Sequence, residues 1–511
     1  MKKNIVCFFI ALMVFLPFFS FLSPNAALAS SNPVSCRSLF VAGDLYVTEE
    51  NTWPSFVNSA KLLASSFEKG TLPFLSPPSS RIYSSSIKSV SGLRKAIRST
   101  FFPADENDVS YFYISVHGIQ PSGENNSGVY LLLSDGTKEE KLTPTMLEEA
   151  FEGIKGTKVI IIDACHSGAF IGKGVSGGAV TAAFTDPSFK VLVSAGGSEK
   201  SWMYTPVQNA SDFGTLNYFS SALAQGLGIF GKPEADINRN GEITLKEVHK
   251  YLLNSYALST PYVYPENDDF VLFTYNPHEM ISPQYHSSHP IVDVEMASTI
   301  ISSTSPTVSF SYTALVDTKV AYQLFYYKDN AWQLDYPDIK EDIEKDGFIY
   351  AGRKSRTLHF TPPERSSSFD YGYAMLQVVA FVDGLPVVQA SRLLTVIPDA
   401  ADPNIHVYTN SSFIPEKHFE LPIFVRHSYP CKLSVAILDE KGATVMPLVN
   451  KEATRPSNAL PKGSFFYWDG IDLQGNFLPQ GSYRIQVKAF LGKNTFQYTS
   501  SPILVIRESE G

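Results

Sequence analysis

The sequence predicts an α/β domain, with a mainly parallel sheet between helices, followed by two all-β sandwiches. Between about Cys36 and Asn276, short apolar runs alternate with helix-like segments, the pattern of a sheet covered on both faces. From about His289 onward, runs rich in Val, Ile, Tyr and Phe alternate with polar residues and recur between Pro, Gly, Asn and Ser breaks, as sandwich strands do. At 511 residues the chain is also too long for one ordinary core, so two or three domains are expected.

The N-terminus is set apart from all of this. Lys2 and Lys3 precede an apolar run from Ile5 to Leu22, and Ala27 to Ala29 supply small residues before a cut at Ser30. Residues 1–29 therefore read as a secretory signal peptide, and the protein is expected outside the cytoplasm, secreted or at the cell surface. The apolar run is long for a signal core, so a retained anchor is the alternative reading. The expected boundaries are 30–284 for the α/β domain, 285–398 for the first sandwich and 399–511 for the second. "PDAADPN" (Pro398 to Asn404) reads as the linker between the sandwiches. The formal net charge of -9 and the lack of a long basic run argue against nucleic acid or an anionic membrane as the main partner.

Within the first domain, "SLFVAGDL" reads as a buried strand and "WPSFVNSAKLLASSF" as a helix. A second helix is expected near "SVSGLRKAIRSTF", a strand at "VSYFYISVHG", a hairpin at "GVYLLLSDG" and a helix at "TPTMLEEAF". "KVIIIDACHSG" and "KVLVSAGG" complete the set of buried strands. In such sheets reactive residues gather at the carboxyl ends of strands, where His117 and Cys165 both fall.

Cys36, Cys165 and Cys431 remain after the leader, a sparse set that does not make a disulfide framework. One Cys36–Cys431 bridge stays open. Cys165 could be a small buried hydrophobe, since cysteine is common in cores, or a nucleophile needing an imidazole to take its proton. His117 meets that need if the two strands are neighbours, and the N–H groups of Gly118 and Cys165 could then stabilise an oxyanion. No H-E-x-x-H pair is present for a metal hydrolase.

"YFYISVHG" followed by "VIIIDACHSG", then "VLVSAGGSEKSW" and "FGTLNYFSSALAQGL", resembles the caspase-like cysteine peptidases, most closely their metacaspase, clostripain and legumain branches. The resemblance spans roughly Cys36 to Asn276. It implies that Cys165 is the nucleophile, His117 the general base and acid, and Gly118 an oxyanion donor. It places Asp163, two positions before the nucleophile, in the pocket of Arg- or Lys-specific members, and Ser115 on the wall of that pocket. A carboxylate on a pocket floor rewards a cationic side chain, so protein or peptide substrates with a basic P1 residue are expected. The acidic pair that gives some metacaspases calcium dependence is not identifiable. Lys173, in the Gly-rich "GAFIGKGVSGG", is expected in a flexible loop open to self-cleavage.

"DINRNGEITLKE" fits the twelve-position calcium loop, with Asp236 first, Asn238 third, Asn240 fifth, Gly241 at the turn, the Glu242 carbonyl next, Thr244 ninth and Glu247 last. Two charged ligands predict weak binding, with a dissociation constant of about 0.1 to 1 mM. The bland alternative is an Asn/Gly turn capping the helix "LKEVHKYLL". The peptidase chemistry itself is expected to need no cofactor.

In the last third, "LSVAILDEKGATV" and "FFYWDGIDLQGNFLPQGSYRIQVKAF" resemble the Ig-like domain of flagellar hook-capping proteins, on Trp468-Asp469-Gly470, Gly475, Gly481 and Tyr483. Trp468 is expected in the core. The β domains are expected to be spacers, docking surfaces or cell-envelope attachments. The sequence thus predicts a secreted caspase-like cysteine endopeptidase, against the alternative of an inactive caspase-like surface binding or adhesion protein.

Overall fold

The computed structural model describes residues 34–47, 52–69, 74, 77–84, 87–121, 128–174, 183–204, 214–255, 259–304, 307–328, 331–334, 348–359, 372–398, 401–417, 420–454, 456 and 462–507. The leader expected at 1–29 lies outside them.

The buried runs of the first half form one sheet. Its strands are β1 (Cys36–Ala42), β2 (Ser79–Ser84), β3 (Val109–Ser115), β4 (Thr157–Asp163), β5 (Phe189–Val193) and β6 (Tyr262–Tyr264). They lie in the order β6-β5-β4-β3-β1-β2, all parallel except β6, which runs antiparallel to β5. Side chains alternate between two cores, as the two-residue period of a strand requires. Phe40, Tyr111, Tyr113, Val159 and Ile161 face one cluster. Leu39, Val41, Phe112, Ile114, Ile160 and Ile162 face the other.

Helices cover both faces. α1 (Pro54–Lys69) buries Leu62, Leu63 and Phe67 in the first cluster, together with α3 (Tyr218–Gly226) and α4 (Leu245–Ser255). α2 (Val90–Phe101) buries Leu93, Ile97 and Phe101 in the second. Its start is fixed by Ser89, whose hydroxyl accepts the Gly92 N–H at 3.1 Å. The expected hairpin forms from Tyr130–Ser134 and Glu139–Leu142, and Gly118–Ile119 pairs onto its outer edge.

From Ile291 onward the regular elements among the described residues are strands. Ile291–Met296, Thr307–Ala314 and Gly352–His359 make one sheet, and the long strands Thr318–Lys328, Gly372–Val382 and Leu385–Ile397 belong to a second. Val308, Phe310, Tyr312 and Ala314 point inward at every second position, into a core shared with Leu376, Val378 and Leu394. A further pair of sheets follows. His406–Tyr408, Leu421–Arg426 and Gly463–Trp468 form one, with Cys431–Leu438, Thr444–Thr454 and Gly481–Leu491 in the other. Trp468 fills the core between them, and its Nε1–H is satisfied by the Ile471 carbonyl at 3.0 Å. Cys36 and Cys431 are both free thiols, which closes the question of a bridge between them.

Candidate active site

The parallel register of β3 and β4 runs from Val109 opposite Thr157 to Ser115 opposite Asp163. His117 and Cys165 each lie two residues beyond that last pair, so the two strand ends deliver them to the same carboxyl end of the sheet. The backbones meet directly there. A Cβ built on Gly118 would stand 1.7 Å from the Cys165 carbonyl oxygen, so only glycine permits this approach.

The imidazole of His117 sits among aromatic rings: Tyr46 at 4.3 Å, Trp53 edge-on at 4.7 Å and Phe56 edge-on at 5.1 Å between centroids. Its main-chain N–H donates to the Tyr46 hydroxyl at 3.1 Å. Trp53 immediately precedes α1 and Phe56 lies in its first turn, within the segment the sequence marks as a helix.

Cys165 is half-buried, and its thiol faces the Ser201 carbonyl at 3.8 Å. Burial pushes the thiol above its ordinary value of 9.0, while the Ser201 main chain and the charge of Lys200 pull it back. The next residue, His166, takes a left-handed conformation at φ 61°, uncommon outside glycine and turned sharply off the strand. Its N–H donates to the Glu199 carbonyl at 2.7 Å, and its Nδ1 lies 3.1 Å from the Gly197 carbonyl. His166 is thus tied to the neighbouring 194–201 loop.

Asp163 is fully buried. Ser220 Oγ at 2.5 Å and Asn217 Nδ2 at 3.0 Å donate to its Oδ2, and Ser201 Oγ donates to Oδ1 at 3.1 Å. Asn217 also donates to the hydroxyl of Ser115 at 3.0 Å, linking the two pocket candidates. Burial raises the carboxyl above its ordinary 3.8, and the bonds from Ser220, Asn217 and Ser201 offset part of that. The carboxylate is therefore held by neutral donors at the sheet edge, with no cation against it among these contacts. Ser201, Asn217 and Ser220 were not singled out in the sequence.

Lys173 departs from expectation. It is 1 % exposed rather than displayed on a flexible loop. Its ammonium pairs with Glu420 and, at 3.3 Å, with Glu266, and lies 3.6 Å from the ring centroid of Tyr467. The glycines around it serve close backbone packing: a Cβ on Gly168 would stand 2.5 Å from the Lys173 carbonyl oxygen. A peptide bond so enclosed is not available for cleavage in this fold. The rest of the expected loop, 175–182, lies outside the described residues.

The 236–247 loop turns at Gly241, φ +86°, as a calcium loop would. Asp236 Oδ1 and Asn238 Oδ1 both accept the Asn240 N–H, at 3.2 and 3.0 Å, and the Asn240 side chain accepts the Glu242 N–H at 2.9 Å. Glu247 has a second task. The Thr244 N–H donates to its carboxylate at 3.1 Å and its own N–H donates to the Thr244 hydroxyl at 3.2 Å, a reciprocal cap on α4. Asp236 is likewise engaged by the Tyr275 hydroxyl at 2.6 Å. The donor set is all oxygen, which suits a hard cation, but both carboxylates already have structural work. Among the described residues, no three His, Cys, Asp or Glu side chains gather as a metal site.

No protein-family model matches the chain, and no curated protein does. Among solved structures, caspase-1 from Spodoptera frugiperda matches 45% of this chain and 89% of its own at 17% identity, with a TM-score of 0.28. Dimeric latent PorU from Porphyromonas gingivalis matches 43% of this chain and 20% of its own, at 13% identity and a TM-score of 0.19. The Salmonella enterica SafA pilin in complex with the SafB chaperone matches 42% of this chain and 95% of its own, at 13% identity and 0.22. At these TM-scores the site's chemistry rests on its own geometry.

Proposed function

We propose that this chain is a cysteine endopeptidase of caspase-like type that hydrolyses peptide bonds after Arg or Lys. The observation that carries the reading is the meeting of the β3 and β4 ends, where the Gly118 backbone lies against Cys165 and His117 stands one residue away in sequence. In this reading His117 takes the proton of the Cys165 thiol as sulfur attacks the substrate carbonyl. The N–H groups of Gly118 and Cys165 receive the oxyanion, and His117 returns the proton to the leaving amine. Water then hydrolyses the thioester with His117 again as base. Burial holds the thiol above its ordinary value, which is why the reading needs His117 to take its proton.

Asp163 selects the basic P1 side chain. An incoming guanidinium or ammonium replaces neutral donors on a buried carboxylate, the exchange that gives a charge-assisted bond its advantage. Ser115 lines the same pocket. The protein acts outside the cytoplasm, released by the signal peptide, with the β sandwiches as a route to cell-envelope attachment. The domain boundaries are those at 30–284, 285–398 and 399–511. Calcium binds the 236–247 loop weakly, through Asp236, Asn238, Asn240, the Glu242 carbonyl and Glu247, and competes there with the helix cap.

The test is turnover of a fluorogenic peptide panel with Arg, Lys, Asp and Asn at P1 under reducing conditions, with and without calcium. Wild type should cleave the Arg and Lys peptides, and Cys165→Ala none. Absence of turnover, with Cys165 inert to an acyloxymethyl-ketone probe, would sink the peptidase and leave a surface-binding protein in its place.

A further inference from the structure

Lys173 stands between two loops that build the site. Its N–H donates to the Gly168 carbonyl at 2.8 Å, within the turn that follows Cys165. Its carbonyl accepts the Gly197 N–H at 2.9 Å, at the head of the loop that carries Glu199 and Ser201. Those residues hold the His166 N–H, the Cys165 thiol and the Asp163 carboxylate. One residue's backbone thus ties the nucleophile turn to the loop that faces both Cys165 and Asp163.

The side chain of Lys173 leads elsewhere, into the second sandwich. Glu420 immediately precedes the strand Leu421–Arg426, and Tyr467 lies on the strand Gly463–Trp468, opposite Pro422 in the antiparallel register. The two therefore sit at one end of the same pair of strands, and both engage Lys173. The Tyr467 hydroxyl also accepts the Gly174 N–H at 2.7 Å. A second observation accompanies the first: Trp202, next to Ser201, and Tyr218, next to Asn217, pack against the core cluster that joins the second sandwich to Tyr373, Leu393 and Ile397 of the first. A module serving only as spacer or attachment has no reason to grip the nucleophile turn and the Asp163 loops together.

We infer that the second sandwich is a working part of the site, with Glu420 and Tyr467 as positioning residues that act through Lys173 on the Cys165 turn and the Ser201 loop. The inference rests on the reading of Cys165 as the reacting group. Glu420 is needed because, among the described residues, the buried ammonium of Lys173 is otherwise balanced by Glu266 alone.

The experiment compares wild type with Glu420→Gln, Tyr467→Phe and Lys173→Met in the full chain. The readouts are the rate of Cys165 alkylation by iodoacetamide, kcat and KM on the Arg peptide, and the thermal midpoint. Tyr467→Phe keeps the ring under the ammonium and removes only the bond to Gly174, so it guards against simple misfolding. Tyr467→Phe is expected to keep a native melt and Glu420→Gln to melt lower while still folding, since it leaves a buried ammonium less balanced; both should lose about 10- to 100-fold in kcat with KM little changed and shift the alkylation rate in step. Wild-type alkylation and turnover in both folded variants would overturn the inference. Should wild type cleave no peptide, the peptidase reading fails by itself, and the alkylation comparison still decides whether the sandwich positions Cys165.

Discussion

In the proposed peptidase, Asp163 is the residue on which specificity and pH dependence would meet. Its carboxyl is raised above 3.8, chiefly by burial, so the folded protein holds this proton more tightly than the unfolded chain does. Two consequences have opposite signs. Stability gained from the protonated form is fully present below the unfolded value near 3.8 and is lost as pH rises through the folded value. Recognition of a cation needs the ionised form, so kcat/KM for an Arg peptide should fall as pH drops through that same raised value. The acid limb is therefore expected above the ordinary aspartate range, and Asp163→Asn should remove it together with at least about 100-fold of the preference for Arg over a neutral P1 residue. Profiles of kcat/KM against pH for the two proteins check this; an Asn variant that keeps both limb and preference would remove Asp163 from the pocket.

Among the elements, α3 matters more to the site than its sequence suggested. Ser220 lies in its first turn and Asn217 immediately precedes it, so packing α3 on the sheet delivers two donors to Asp163 Oδ2. Ser220→Ala removes the shorter of these bonds from a buried acceptor. It should cost about 1 to 3 kcal/mol in urea unfolding at neutral pH and move the acid limb of kcat/KM further upward, since the charged form loses a partner. The strands of the sheet were legible because both of their faces are buried, leaving continuous apolar runs such as Val159 to Ile162. Helices were legible for a similarly local reason, as in the segment near "SVSGLRKAIRSTF" that forms α2. What escaped was set by distant neighbours. The left-handed turn at His166 carries no side-chain signature, and the glycines around Lys173 resemble those of a flexible loop although they serve close packing. The partner of Lys173, Glu420, comes 247 positions later, beyond the reach of any local pattern.

At the scale of the whole molecule, charged contacts tie the all-β segments back to the α/β sheet. Besides the Lys173 cluster, Arg392 of the strand Leu385–Ile397 makes a forked pair with Glu234, at 2.9 and 3.1 Å, in the chain between α3 and α4. The same guanidinium donates to the Val294 carbonyl at 3.0 Å, so it also joins the two sheets of the first sandwich. Glu234 raises the Arg392 pKa against the opposing effect of burial, which marks the pair as mutually dependent. Removing one member should therefore cost far more than removing both. Glu234→Leu alone leaves a guanidinium without its counter-charge and is expected to lose about 3 to 5 kcal/mol, whereas Glu234→Leu with Arg392→Met should recover most of that loss. Urea unfolding of the single and double variants measures the coupling. Near-additive losses would mean that the contact is a screened surface pair. A strong rescue would show that the first sandwich is docked by a buried ion pair, as the second is by Lys173.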